Sequence, residues 1–198
     1  MRCPMGDIEG MVAAYESGQL LRPSEAALNI VNLGNAIATL AGNESVSHSP
    51  NSRAISDIIG PSKHLVFIMA DGLGIETVRA LGDNAFISRH VAMQLQTVFP
   101  SSTPVVLASL ATGEWPNTHA VIGWQMYLRE SDCVSTIIRF HRRSDEKDLS
   151  ELGVSAEQAY PISSMTGSFR RDQLSLLPKA IANTFSIIKI HLTAFTRA

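Results

Sequence analysis

The sequence predicts an α/β layered fold built on a mostly parallel sheet, and three observations carry that expectation. A nearly unbroken apolar run, His64-Leu65-Val66-Phe67-Ile68-Met69-Ala70, stops at Asp71-Gly72-Leu73-Gly74. A short apolar run ended by glycines suits a parallel strand covered on both faces. A second strand is expected over residues 93–98, after which Pro100-Ser101-Ser102 turns the chain into a helical pattern at Thr103–Ala111. Strands that alternate with helices in this way belong to layered, parallel architectures.

The other elements are read in chain order. Residues 1–22 lack clean periodicity and read as a lead-in. Pro23-Ser24-Glu25 reads as a helix start, with Ser24 as cap and Glu25 in the first turn. Ala26, Ile30, Leu33, Ile37 and Leu40 recur at helical spacing, and Gly42-Asn43 is the stop. Residues 43–62, rich in Ser, Asn, Gly and Pro, read as a connecting loop. Ile75, Val78 and Leu81 suit a short helix, and Gly113, Pro116 and Gly123 mark a long turn. Residues 133–138 are a candidate third strand, and 142–148 a charged surface loop. Further helices are expected at 155–159, where Ser155 and Gln158 have capping-box spacing, and around 174–185.

Composition narrows the function classes. The chain has 198 residues, 45% of them hydrophobic and 17% charged, which suits one globular domain with a real core. A net charge of −2 gives no electrostatic case for a nucleic-acid polymer as partner. A small phosphorylated substrate needs only local positive charge. The two cysteines, Cys3 and Cys133, are too far apart for a zinc knuckle or a disulfide framework. No run approaches the roughly 18 apolar residues of a membrane span, and the first twenty residues do not follow a signal peptide's pattern. A cytoplasmic location without a membrane partner is therefore expected.

The candidate chemistry sits at two strand ends. In parallel α/β sheets ligands bind beyond the carboxyl ends of the strands. Asp71 directly follows the first strand, and Thr103 opens the helix after the second. A carboxylate can hold a divalent cation. A threonine hydroxyl becomes a nucleophile once a metal or base lowers its pKa. A helix N-terminus offers N–H donors and a positive dipole end to a phosphate. Taken singly, Asp-Gly after a strand is usually a turn and Ser or Thr before a helix usually an N-cap. Together at two strand ends they favour a site.

Phe67-Ile68-Met69-Ala70-Asp71-Gly72-Leu73-Gly74, then Phe99-Pro100-Ser101-Ser102-Thr103, Ser109-Leu110-Ala111-Thr112-Gly113 and His119-Ala120-Val121-Ile122-Gly123-Trp124, resemble the alkaline phosphatase superfamily. The nearest branch is the bacterial type I phosphodiesterase/nucleotide pyrophosphatase-like group. The resemblance is most specific over residues 64–124. It implies an α/β/α sandwich with a mostly parallel sheet, of which residues 23–185 would be the N-terminal part. It also implies two divalent metals, commonly zinc, with Asp71 as a metal ligand. Thr103 would be both metal-bound and the nucleophile that is transiently phosphorylated. The substrate would be a phosphate mono- or diester.

The sequence departs from the family pattern in places. Nucleotide pyrophosphatases carry Asn three residues after the nucleophile, where this chain has Val106. Sulfatases carry Arg four residues after it, where this chain has Leu107. His119 is followed by Ala120 instead of the usual Gly and reads as a structural or supporting residue. Downstream, Asp132, Asp145, Asp148, Asp172, His141 and His191 form neither of the family's Asp-x-x-x-His and Asp-His patterns. Residues 186–198 do not resemble the family's next segment, so the chain reads as cut short or as running into an unrelated tail. A non-catalytic remnant is thus the alternative to an active hydrolase. A phosphomutase of the same superfamily lacks its substrate elements here. A dinucleotide-binding module lacks the third glycine after Gly72 and Gly74.

Overall fold

Asn29 organises the first half of the chain. It is fully buried, and its extended backbone caps helix α2, Ile30–Leu40. The Asn29 side chain accepts from the Asn32 N–H at 2.9 Å and donates to the carbonyls of Ser24 and Ala27. Asn32 returns the bond to the Asn29 N–H, which completes a capping box. The helix therefore starts at Ile30 and not at Ser24, whose hydroxyl is instead spent on the Ala26 N–H. The computed structural model describes residues 5–160 and 163–174. The expected helix around 174–185 and the tail at 186–198 lie almost wholly outside them. Helix α1, Met5–Glu16, stands where a lead-in without regular structure was expected.

Helix α3, Pro50–Ile59, interrupts the expected 43–62 loop. Ser49 caps it, Pro50 supplies a preset φ in the first turn, and Gly60 ends it at φ 74°. Its Ile55 is fully buried, and α3 packs on α2. Helices α4, Ile75–Ala80, and α5, Thr103–Thr112, stand where helices were expected. α2 and α5 approach closely at Gly34, where an added Cβ would lie 3.0 Å from the Leu110 carbonyl oxygen. The short helix α6 follows at Pro116–His119.

The sheet differs from the expectation. Strands β1 (Gln125–Leu128), β2 (Cys133–Thr136) and β3 (His141–Arg142) form one antiparallel sheet in the order β1-β2-β3. The third expected strand is thus present as β2. Among the described residues the mostly parallel sheet is absent. The strand expected over residues 64–70 is not formed: these residues join no ladder, and Val66 and Ile68 are 77% and 82% exposed. Residues 93–98 contribute a single parallel bridge between Gln96 and Asn29. Extended backbone becomes a sheet only where a neighbour takes up its N–H and C=O groups. Among the described residues no backbone hydrogen bond reaches 65–69.

The core sits between α5 and the antiparallel sheet. Val98, Val105, Ala108 and Val121 meet Leu128, Ile137, Phe140, Leu149 and Tyr160. The Tyr160 hydroxyl donates to Ser135 Oγ at 2.7 Å, so the one polar tip in this core is satisfied. The short helix α7, Ala156–Ala159, is capped as expected, since Ser155 and Gln158 exchange bonds of 3.1 Å. The expected charged loop is a turn in which Arg142 grips Asp145 and lends its backbone to β3. No helix among the described residues is long and apolar enough to cross a membrane.

Candidate active site

Thr103 and Asp71, 32 positions apart in sequence, meet in the folded chain. Thr103 Oγ1 donates to Asp71 Oδ2 at 3.3 Å, in an exposed position. Asp71 follows the 65–70 segment in a turn, and Gly72 comes next at φ 77°, a conformation that favours glycine. Leu73 N–H closes the turn on the Ala70 carbonyl at 3.4 Å, and α4 begins two residues later. Added Cβ atoms at Gly72 and Gly74 would meet nothing within 4 Å, so only the backbone angle at Gly72 calls for glycine. The expected convergence of carboxylate and hydroxyl is therefore present, although neighbouring parallel strands do not produce it.

Thr103 is the first residue of α5, behind Ser102 at the N-cap. Ser102 makes no side-chain cap bond, and its hydroxyl is enclosed without a partner. Pro104 has no N–H, while the N–H groups of Val105 and Val106 both turn to the Ser102 carbonyl. Among the described residues the Thr103 N–H has no acceptor. One free donor and the positive end of a ten-residue helix thus stand beside the hydroxyl. Ser102 is visible in sequence only as one of several hydroxyls before a helix; nothing there marks it as the one left unpaired.

His119 lies apart from this pair and is 4% exposed. The Val121 N–H donates to its Nδ1 at 3.1 Å, so the proton sits on Nε2 and points to Ser109 Oγ, 2.9 Å away. Burial lowers its pKa from 6.5 to about 4, against a smaller upward pull from a backbone hydrogen bond. His119 is a neutral strut that ties α5 to the chain after α6, in keeping with the structural role expected for it.

Two oxygens each about 2.0–2.2 Å from one tetrahedral ion stand roughly 3.3–3.6 Å apart. The 3.3 Å between Asp71 Oδ2 and Thr103 Oγ1 meets that spacing. The pair therefore fits as the first two donors of a metal site. The described residues do not complete it, since no group of three or more His, Cys, Asp or Glu comes together among them. Asp132 is held by the Tyr127 hydroxyl and Asp148 by the Ser150 N–H. Asp145 is engaged by Arg142, which lowers its pKa to about 2. His191 lies outside the described residues.

An open cleft of about 740 Å³ borders the segment that leads to Thr103. Phe99 forms its near wall, with Trp115, Tyr15, Leu21 and Arg22 around it.

Residues 65–159 match the family model described as type I phosphodiesterase / nucleotide pyrophosphatase. No curated protein and no solved structure matches the chain.

Proposed function

The chain belongs to the type I phosphodiesterase / nucleotide pyrophosphatase family, matched over residues 65–159, and from that premise we propose a phosphate-ester hydrolase in which Thr103 is the nucleophile. The observation that carries the reading is the 3.3 Å contact between Thr103 Oγ1 and Asp71 Oδ2 at the head of α5, inside the matched span. Asp71 orients the hydroxyl by accepting its proton in a hydrogen bond. The free Thr103 N–H and the end of α5 attract a phosphoryl oxygen. Attack forms the Thr103 Oγ–P bond and breaks the bond from phosphorus to the leaving oxygen, which departs with a proton. Water then cleaves the phospho-threonine and returns the hydroxyl.

Asp71 and Thr103 would share one divalent cation, zinc by family habit. When bound, the cation lowers the hydroxyl's pKa and offsets charge on the phosphoryl oxygens. The remaining ligands of a two-metal centre would come from outside the described residues. The substrate is a small phosphate mono- or diester whose organic part can lie along the cleft at Phe99. No membrane or nucleic-acid polymer enters this reading.

The test is turnover of a chromogenic phosphodiester with added zinc or manganese. Thr103→Ala should nearly abolish it, and Thr103→Ser should keep a measurable part, because an activated hydroxyl remains. Unchanged turnover in Thr103→Ala, with no phospho-enzyme trapped from the parent, would overturn the assignment. A second reading is a chain that keeps the nucleophile and first ligand but does not turn over. The incomplete ligand set among the described residues favours it. Absence of metal-dependent turnover on a monodisperse sample, with cation binding still sensitive to Asp71→Ala, would select this second reading.

A further inference from the structure

Four consecutive apolar side chains stand open shortly before Asp71. Val66, Phe67, Ile68 and Met69 are 77%, 50%, 82% and 46% exposed. Single exposed apolar residues are ordinary on a protein surface, but a contiguous group marks a contact surface.

The course of the chain brings one cover to its edge. Residues 164–171 cross the ends of α2 and α5. Ser164 Oγ donates to the Ala111 carbonyl at 3.3 Å, Asn43 Nδ2 to the Met165 carbonyl at 3.1 Å, and the Arg170 N–H to the Ala41 carbonyl at 3.0 Å. Arg171 Nη1 then donates to the Ser62 carbonyl at 2.8 Å. The chain is thereby pinned at the threshold of the open group, and Leu174 just beyond is itself 62% exposed. Leu177 follows Arg171 by six positions, up to about 20 Å of chain, and Phe67 follows Ser62 by five, up to about 18 Å. Each is within reach of the other.

The composition of residues 175–198 suits that place. Leu177, Ile181, Phe185 and Ile188 recur at four- and three-residue spacing, which is one apolar stripe in helical periodicity. The segment carries Lys179, Lys189 and Arg197 and no Asp or Glu. It brings only cations towards Asp71, whose carboxylate is in no ion pair among the described residues. A tether at Arg171 also gives the segment a local concentration of roughly millimolar, above that of a second copy in dilute solution.

We propose that Leu177, Ile181 and Phe185 pack on Val66, Phe67, Ile68 and Met69 of the same chain, with residues 175–188 as the cover of this apolar group. The proposal is independent of any catalytic role for Asp71.

Two measurements on the full chain test it. Chymotrypsin should cut slowly after Phe67. Ile181→Asp/Phe185→Asp should speed that cut by about tenfold or more, because cleavage follows the population of the uncovered form. Asn183→Asp, outside the apolar spacing, should leave it unchanged. Ile68→p-benzoylphenylalanine needs no disruption of the cover: on irradiation it should crosslink to residues 175–188 of its own chain at every protein concentration. Equal cleavage in the parent and the double variant would overturn the proposal. So would crosslinks to other residues, or crosslinks formed only between two chains, which would assign the group to a second copy.

Discussion

Lowering the pH from 7 to 5 should weaken the fold through His119. The imidazole is 4% exposed, and burial holds its folded pKa near 4, against 6.5 in the unfolded chain. Between those values the unfolded chain takes up a proton that the folded chain refuses. Stability from this group is therefore full above about pH 6.5 and is lost as the pH falls towards 4. With those two pKa values the loss between pH 7 and pH 5 comes to about 2 kcal/mol. That is a large part of a typical domain stability of about 5–15 kcal/mol. In urea, a slope of about 1–3 kcal/mol per molar makes it a midpoint shift of roughly 1 M. Urea titrations followed by tryptophan fluorescence at the two pH values measure it directly. His119→Gln, which cannot take up the proton, should be less stable at pH 7 but much less sensitive to the change. Asp145, held near 2 by Arg142, loses its contribution below about pH 4, outside this window. If the parent and His119→Gln lose equal stability between pH 7 and pH 5, the buried-imidazole account is wrong.

Three further predictions concern packing. Gly113 caps α5 at φ 69°, and an added Cβ would lie 2.6 Å from Asn35 Oδ1. Gly113→Ala should cost about 1–3 kcal/mol by thermal or urea unfolding, and adding Asn35→Ala should cost less than the sum of the two. Tyr160→Phe leaves buried Ser135 Oγ without its 2.7 Å donor, so about 1–2 kcal/mol should be lost with little change in circular dichroism. Asn29→Ala removes the α2 cap and should cost about 1–2 kcal/mol; a loss under a few tenths would show that the box is incidental.

The local elements are largely legible in the sequence, and their assembly is not. α5 carries an apolar sequence between Pro104 and a Gly113 stop, and the box at Ser155 and Gln158 forms as spaced. α3 is signalled by Ser49-Pro50, a cap and first-turn proline, but polar composition hides it. Ser24 reads as the start of α2 because Ser is a good cap. Asn29 prevails because it also binds two upstream carbonyls and pairs its backbone with Gln96. Residues 65–70 do not form the strand their apolar run implies. A run of that kind favours a strand but carries no information about the neighbours a strand needs, so neither the strand nor the parallel sheet follows from it. The Asp71–Thr103 pair is legible from its residue types and the family motifs. The unpaired Ser102 hydroxyl depends on three-dimensional enclosure that no motif encodes.

The 32-position separation of Asp71 and Thr103 makes their contact a loop-closure problem. Of the side chains between them only Val78 and Val98 are buried hydrophobics, so few packing contacts hold the ends of that loop together. Joining the ends of a flexible loop of this length costs about 3 kcal/mol in the length-dependent part of the chain entropy alone. Any group that bridges the carboxylate and the hydroxyl must supply part of that ordering from its own interaction energy. Its affinity is then coupled to the order of the whole span 72–102. Amide exchange across α4 should slow when such a group is bound, and substitutions that rigidify the span should tighten binding without touching the group itself.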